Sequence, residues 1–201
     1  LIKKKYIKKY QGFDVVKYKK WNKIQNKNHQ FKKFNGINFE NIISKNNNLF
    51  LSQSCLEHVK YDLKFFHDIK KKVNKSKKKV MSIHCLPSSF CLFTYLTHGY
   101  RQYNLENINK ISKILGSKNT FVIKLGNSKL NFEHLKKTTI PLILRKKNLM
   151  KNQNEAYFKN LNSLILQNLS SSLFMSSFIV LVSLINFSEK EKKKIIEKIF
   201  S

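Results

Sequence analysis

The chain has 201 residues and a formal net charge of +29, from 40 Lys and Arg against 11 Asp and Glu. This imbalance excludes an ordinary soluble enzyme, because so much like charge repels itself unless a polyanion neutralises it. The length suits one domain, alone or with extensions. The composition therefore predicts a polyanionic partner, with nucleic acid first and an anionic membrane surface second.

The basic residues are almost all lysine, and Ala156 is the only alanine. Asn, Ile, Phe and Lys have A+T-rich codons, so the skew indicates a very A+T-rich genome such as that of an organelle or a parasite. The shortage of Asp and Glu does not follow from that skew. The three cysteines, Cys55, Cys85 and Cys91, are too few for a disulfide framework, and no signal peptide is recognised, so we expect a reducing interior.

Residues 1–52 are predicted to form a basic aromatic arm and linker, extended until its partner binds. Lysines would contact phosphates while aromatic side chains stack on unpaired bases. The alternative is a solvated tail whose aromatic residues pack on the protein's own domain. The candidate RNA-binding residues here are Lys3, Lys4, Lys5, Lys8, Lys9, Lys17, Lys19, Lys20, Trp21, Lys23, Lys32 and Lys33.

Residues 53–150 are predicted to form an α/β core. Apolar spacings of three and four predict a helix over 53–72, with Ser54 and Glu57 as a capping box, followed by a strand over 80–86. The lysines after the helix suit its C-terminus electrostatically, but they exceed what capping requires. Phosphate contacts are therefore predicted for Lys75, Lys77, Lys78 and Lys79.

The clearest local signals lie between residues 104 and 145. Asn104 and Gly116 are typical of the two ends of a helix, and FVIKL reads as a strand after it. A second helix to Lys137 and a strand over 139–144, with Pro141 at an edge or bulge, would follow. We expect an α/β or α+β fold, with neighbouring parallel strands in a small mixed sheet flanked by helices.

Residues 151–201 are predicted to be a helical and apolar segment that packs on the core or binds a partner. The uncharged run over 173–187 is shorter than a membrane span, so a buried strand or core helix is favoured over an anchor. Ser188 is expected to cap a short final helix. The candidate partner-binding residues of this helix are Ile195, Ile196, Ile199 and Phe200.

No catalytic motif, cofactor loop or metal site is predicted. His84, Cys85, Cys91 and His98 lack the paired short spacings of a zinc site, and adjacent residues of a strand point to opposite faces. Buried structural roles are expected for them. The chain is therefore predicted to have no enzymatic activity, no cofactor and no small-molecule substrate.

The lysine-rich, alanine-poor texture with a basic aromatic arm resembles organelle-encoded ribosomal proteins, above all ciliate-type mitochondrial ones. The order of elements from residue 53 to 144 is also similar to the large-subunit stalk-base protein. That resemblance implies rRNA contacts by Lys124, Asn127 and Lys129, and acidic stalk proteins bound by the final helix. The aromatic insert at 90–103 and the single C-terminal helix depart from the family's pattern.

The predicted function is a structural constituent of the mitochondrial ribosome in the matrix, with rRNA and neighbouring ribosomal proteins as partners. Arg101, at an exposed-looking turn, completes the RNA-binding candidates. Two alternatives are a membrane-associated accessory subunit of a respiratory complex and a DNA-binding organellar protein.

Overall fold

A computed structural model of the protein describes residues 7–44, 46–90, 100–145 and 176–200. The chain divides into two compact units, Leu1–Ser44 and Lys45–Ser201. Strand β3 (Leu49–Gln53) belongs to the second unit, where it pairs with another strand. The boundary between the units therefore lies before residue 52, where the predicted arm and linker end.

The first unit contains a two-stranded parallel sheet and an aromatic cluster. Strand β1 (Tyr10–Asp14) pairs with β2 (His29–Lys33), with helix α1 (Trp21–Ile24) between them. The ring of Trp21, only 7% exposed, stacks on Phe31 at 5.5 Å, and Tyr18 packs against Trp21 at 5.6 Å. The prediction of an extended arm is therefore wrong for this segment, because its aromatic rings bury one another.

The described part of the second unit contains a four-stranded sheet with helices. Its strands are β3, β4 (Val80–Pro87), β5 (Thr120–Leu125) and β6 (Phe178–Ile185). Its longer helices are α2 (Asp62–Ser76), α3 (Leu105–Leu115) and α6 (Glu189–Phe200). The shorter ones are α4 (Ser128–His134) and α5 (Ile140–Arg145), joined by a π-helical stretch (Leu135–Thr139).

The strands of this sheet lie in the order β3-β4-β6-β5. Strand β3 runs parallel to β4, whereas β6 runs antiparallel to both β4 and β5. Strands β3, β4 and β5 therefore share one direction, and α2 is the crossover between the parallel pair. The predicted mixed α/β fold is confirmed.

The core lies between the sheet and helices α2 and α3, which pack together. Phe66 and Ile69 of α2, with Ile111 and Leu115 of α3, are completely buried. Strand β4 alternates between fully buried and half-buried residues, as expected when one face is covered by α2. The rings of Phe65 and Phe66 meet His84 of β4 edge-on.

Local signals placed several boundaries correctly. The Asn104 side chain accepts from the Asn107 N–H at 2.9 Å, and the Asn104 N–H donates in return to the Asn107 side chain, while Gly116 ends α3 with φ +102°. Ser54 and Glu57, by contrast, form no cap. The Ser54 N–H instead bonds the Cys85 carbonyl, Leu56–His58 form a 3₁₀ turn, and α2 begins later, at Asp62.

The strand predicted over 139–144 is wrong, because this stretch is helical. Pro141, which has no N–H to donate, directly follows the π-helical stretch, where the hydrogen-bonding register of this continuous helical segment is shifted. Parallel pairing is also wrong here, since β5 pairs antiparallel with β6.

The favoured buried interpretation of the uncharged run is confirmed for its described part. It forms strand β6, in which Leu181 and Leu184 are completely buried. Among the residues that the structure describes, no helix has the length and apolarity to cross a membrane.

Candidate nucleic-acid interface

Lysines converge where β4 and β5 begin, at what we call the amino end of the sheet. Helices α2 and α3 both terminate here, just before those strands, and α6 begins here because antiparallel β6 ends here. Exposed lysines from three segments of the chain are thereby brought to one end of the fold. We call this set the basic rim: Lys75, Lys77, Lys78, Lys79, Lys118, Lys190, Lys193 and Lys194.

Hydrogen bonds join the segments that carry the basic rim. The Asn186 side chain donates to the Lys78 carbonyl at 2.9 Å, linking the turn after β6 to the turn before β4. Lys192, 5% exposed, donates to Asn119 Oδ1 and to Glu189 Oε1, each at 2.6 Å, and so holds α6 against the start of β5. The rim is thus built on connected elements rather than on separate loops.

The basic rim keeps a large excess of positive charge. The Lys79 ammonium lies 2.6 Å from Glu191 Oε1. That hydrogen bond, with the Ser188 N–H, lowers the pKa of Glu191 to about 2. Glu191 thus stays ionised and offsets one lysine, and Glu189 is engaged by Lys192. The remaining rim lysines can attract a polyanion.

The opposite, carboxyl end of the sheet carries a buried polar network. Asp62, 2% exposed, accepts from the Arg101 guanidinium and from the Tyr103 hydroxyl, the latter at 2.8 Å. Arg101 also donates to the Lys60 carbonyl at 2.5 Å. Burial, before any nearby charge, raises the pKa of Tyr103. This network fixes the chain before α3 to the N-terminus of α2.

Three predicted RNA-binding residues have partners within the protein, and their contact with RNA stays a prediction. The guanidinium of Arg101 is committed to Asp62 and Lys60, and the Trp21 ring is covered by its neighbours. The Asn127 side chain accepts from the Leu130 N–H at 3.0 Å and caps α4. All three looked available for RNA because their partners were not visible in the local sequence.

The other predicted basic residues lie in separate places. Lys3, Lys4 and Lys5 lie outside the described residues. Lys124 is half-buried on β5, and Lys129 is exposed on α4 at the carboxyl end of the sheet. Those exposed on the first unit are Lys8, Lys9, Lys17, Lys19, Lys20, Lys23, Lys32 and Lys33.

The predicted partner-binding residues divide by exposure. Ile195 and Ile196 are half-buried, while Ile199 is 44% exposed. Ile196 lines a cleft beside Phe121 of β5, so α6 contributes to its own fold. The side chain of Phe200 lies outside the described part of the structure.

Sequence reasoning missed half of the basic rim: Lys118, Lys190, Lys193 and Lys194. Within the final helix, the run EKEKKK has a sufficient local explanation, since acids precede cations as the helix dipole favours. Only the strand order reveals that this run lies beside the end of α2, more than a hundred residues earlier.

The residues weighed for a zinc site do not come together in the described structure. His84 is completely buried between Ser52 and Ser82, whereas Cys85 is half-buried on the other side of β4. Cys91 and His98 lie outside the described residues. Within those residues, no group of three or more His, Cys, Asp or Glu side chains is arranged to hold a metal ion.

Neither a scan against protein-family models nor a search of curated proteins gives a match. Among solved structures, the chain is similar to selenomethionine phosphoethanolamine N-methyltransferase 2 of Haemonchus contortus in complex with S-adenosyl-L-methionine, with a TM-score of 0.44 and 16% identity. The match covers 87% of this chain and 42% of that one, so this chain spans less than half of that protein's length. We take neither a reaction nor a ligand from so low a similarity.

The comparison contradicts the predicted function. The similar structure is an enzyme, whereas we predicted a non-enzymatic constituent of the mitochondrial ribosome. The predictions of a ribosomal role in translation, of a place in the large subunit and of a chain without enzymatic activity were therefore wrong, and they are withdrawn together with their two alternatives. RNA as a partner and a mitochondrial location stay predictions.

Proposed function

We propose that this protein binds RNA, with the basic rim as the surface that contacts the phosphate backbone. The observation that carries the proposal is the convergence of exposed lysines at one end of a single sheet, from the end of α2, from the turns before β4 and β5, and from the first turns of α6. A random scatter of the same lysines would give a positive protein without a surface shaped for a backbone. Here they are fixed on neighbouring elements.

Binding through such a surface is driven by counterion release. Each lysine that neutralises a phosphate frees a condensed cation, so the affinity falls steeply as salt is raised. These contacts are with phosphates, and they fix the position of the nucleic acid without reading its bases. The lysines at the ends of α2 and α3 also stabilise helix C-termini, but one or two cations per helix suffice for that.

The test compares two variants with the same change of net charge. The rim variant replaces Lys75, Lys77, Lys190 and Lys194 with glutamine. The matched control replaces Lys60, Lys110, Lys129 and Lys136, which are exposed but lie away from the amino end of the sheet. Affinity for an unstructured RNA is measured by fluorescence anisotropy over a series of salt concentrations, and circular dichroism checks that both variants are folded.

We expect the rim variant to lose affinity and the control to lose much less. Each phosphate contact contributes about 0.7 to the salt slope on a single strand, so the rim variant's slope should fall by up to about 3. Equal losses in the two variants would show that only net charge matters and would overturn the proposal. DNA of the same sequence, run in parallel, tests whether binding is restricted to RNA.

A further inference from the structure

We infer that a cleft beside the basic rim holds one unpaired base of the bound RNA, and that it prefers a base with an exocyclic amino group. This inference rests on the proposed function, because the rim must first bring RNA to the surface. The cleft measures about 290 Å³ and lies between β5 and α6. Its walls include Phe121, Ile196, Lys118, Lys193, Glu189 and Glu197.

The interior of the cleft is apolar. Phe121, on the outermost strand, and Ile196, on α6, are both half-buried, so each presents part of its side chain to an incoming group. An aromatic ring beside an aliphatic side chain suits the flat face of a base, since stacking on aromatic residues is how proteins commonly hold unpaired bases. The volume lies near the lower limit for small-molecule pockets, which suits one base.

The mouth of the cleft is continuous with the basic rim. Lys118 and Lys193 belong to both, so phosphates on either side of an inserted base would meet lysines already used for the backbone. Lys192, buried and bonded to Asn119 and Glu189, fixes the wall from which Glu189 extends. The hydrogen bonds of Lys192 therefore fix α6 and the start of β5, which form the walls of the cleft.

The two carboxylates decide what kind of ligand fits. Glu189 is paired with Lys192, whereas Glu197 would repel a phosphate placed next to it, so the phosphates are better placed beside Lys118 and Lys193. Carboxylates accept hydrogen bonds from exocyclic amino groups, which cytosine, adenine and guanine carry and uracil lacks. Glu189 is already bonded to Lys192, whereas Glu197 is exposed, so Glu197 is the residue to which we assign this discrimination.

The test compares oligocytidylate with oligouridylate of equal length by fluorescence anisotropy at neutral pH and moderate salt. We expect the wild-type protein to bind oligocytidylate on the order of tenfold more tightly. Glu197→Gln removes a negative charge from the neighbourhood of the backbone, so both affinities should rise. The ratio between them should fall toward one, because glutamine can also donate to a uracil carbonyl.

Two further variants separate the cleft from general electrostatics. Glu106→Gln removes an exposed negative charge on α3 and should raise both affinities while leaving the ratio unchanged. Phe121→Leu keeps an apolar side chain but removes the ring, so both oligonucleotides should bind more weakly with the same salt slope. Thermal unfolding of each variant checks that the fold is retained.

The outcomes distinguish this inference from the function on which it rests. Failure of both oligonucleotides to bind would overturn the proposed function and this inference with it. Tight binding with a ratio of one would leave the proposed function standing and overturn the cleft. A wild-type preference that survives both Glu197→Gln and Phe121→Leu would also overturn it, because the discrimination would then lie elsewhere.

Discussion

The ammonium of Lys79 lies 2.6 Å from one carboxylate oxygen of Glu191, a residue 112 positions later in the chain. The other oxygen of the same carboxylate accepts from the N–H and the hydroxyl of Ser188, each at 3.1 Å. One side chain therefore caps α6 and also ties this helix to the turn between α2 and β4. The predicted cap at Ser188 is confirmed, and its tertiary role is added.

Glu191→Gln should lower the melting temperature and remove part of its salt dependence, because the ion pair is lost while glutamine can still cap. The folded pKa of Glu191 is about 2, against an ordinary 4.5. Its contribution to stability is therefore present above pH 4.5 and is lost as the pH falls toward 2. Between pH 4.5 and 2, the melting temperature of the variant should decrease less than that of the wild-type protein. The same decrease in both proteins would contradict this role of Glu191.

A second, separate dependence of stability on pH is expected from His84. Its ring nitrogens lie 2.7 Å from Ser52 Oγ and 2.6 Å from Ser82 Oγ, and burial lowers its pKa to about 3. Between pH 6.5 and 3 the unfolded chain binds a proton that the folded one does not. The free energy of unfolding should therefore decrease as the pH is lowered through this window, by about 2 kcal/mol at pH 5. Chemical denaturation at several pH values measures it.

His84→Asn should flatten this slope, whatever it does to absolute stability. His67→Asn serves as the control, since His67 is exposed on α2, and it should keep the slope of the wild-type protein. If both variants retain the slope, the acid sensitivity arises from other groups.

Arg101→Ala should destabilise the second unit by about 3 kcal/mol, because it leaves the Asp62 carboxylate buried with one partner fewer. Arg101→Lys keeps the charge but not the forked geometry, so it should also be destabilised. Arg101→Ala should lower RNA affinity only by the effect of one charge, and Arg101→Lys should leave it unchanged. A lysine variant of native stability with weakened RNA binding would instead restore Arg101 as a phosphate contact.

Gly126→Ala should cost more than Gly36→Ala, although both glycines have φ +76°. A Cβ at Gly126 would lie 2.5 Å from Leu130 Cδ2 and 2.6 Å from Ser177 Oγ, whereas the nearest atom at Gly36 is 3.4 Å away. Backbone strain alone costs about 1 kcal/mol, and overpacking adds about 1–3 kcal/mol at Gly126. Unfolding of Gly126→Ala is measured by far-UV circular dichroism, and unfolding of Gly36→Ala, in the first unit, is measured by Trp21 fluorescence. Equal losses would contradict this reading.

The parts of the fold that were predictable are those with signals inside a few turns of chain. Helix α3 has its cap, its apolar spacing and its final glycine within residues 104–116, and all three proved informative. Strands β4 and β5 lie within one residue of the predicted bounds at most ends, because each is a short apolar run closed by Pro87 or Gly126.

The parts that failed depend on partners distant in sequence. Ser54 could not be recognised as bonding Cys85 without the register of β3 on β4, and Arg101 looked exposed because Asp62 lies 39 positions earlier. The basic rim has the same origin, since Lys118 and Lys193 come to line one cleft only through the order of the strands. Composition predicts a polyanionic partner but does not locate the surface that would bind it. That location follows only from the order of the strands in the sheet.

Strand β6 lies between β4 and β5 although it follows both of them in the chain. Before residues 178–185 leave the ribosome exit tunnel during synthesis, the strand that bonds to both β4 and β5 is missing. The sheet face that packs on α2 and α3 is then incomplete. The second unit must therefore form by a late, long-range insertion, which slows folding and lengthens the time during which apolar strands are exposed. A nascent chain halted before this strand would be a ready target for chaperones and proteases.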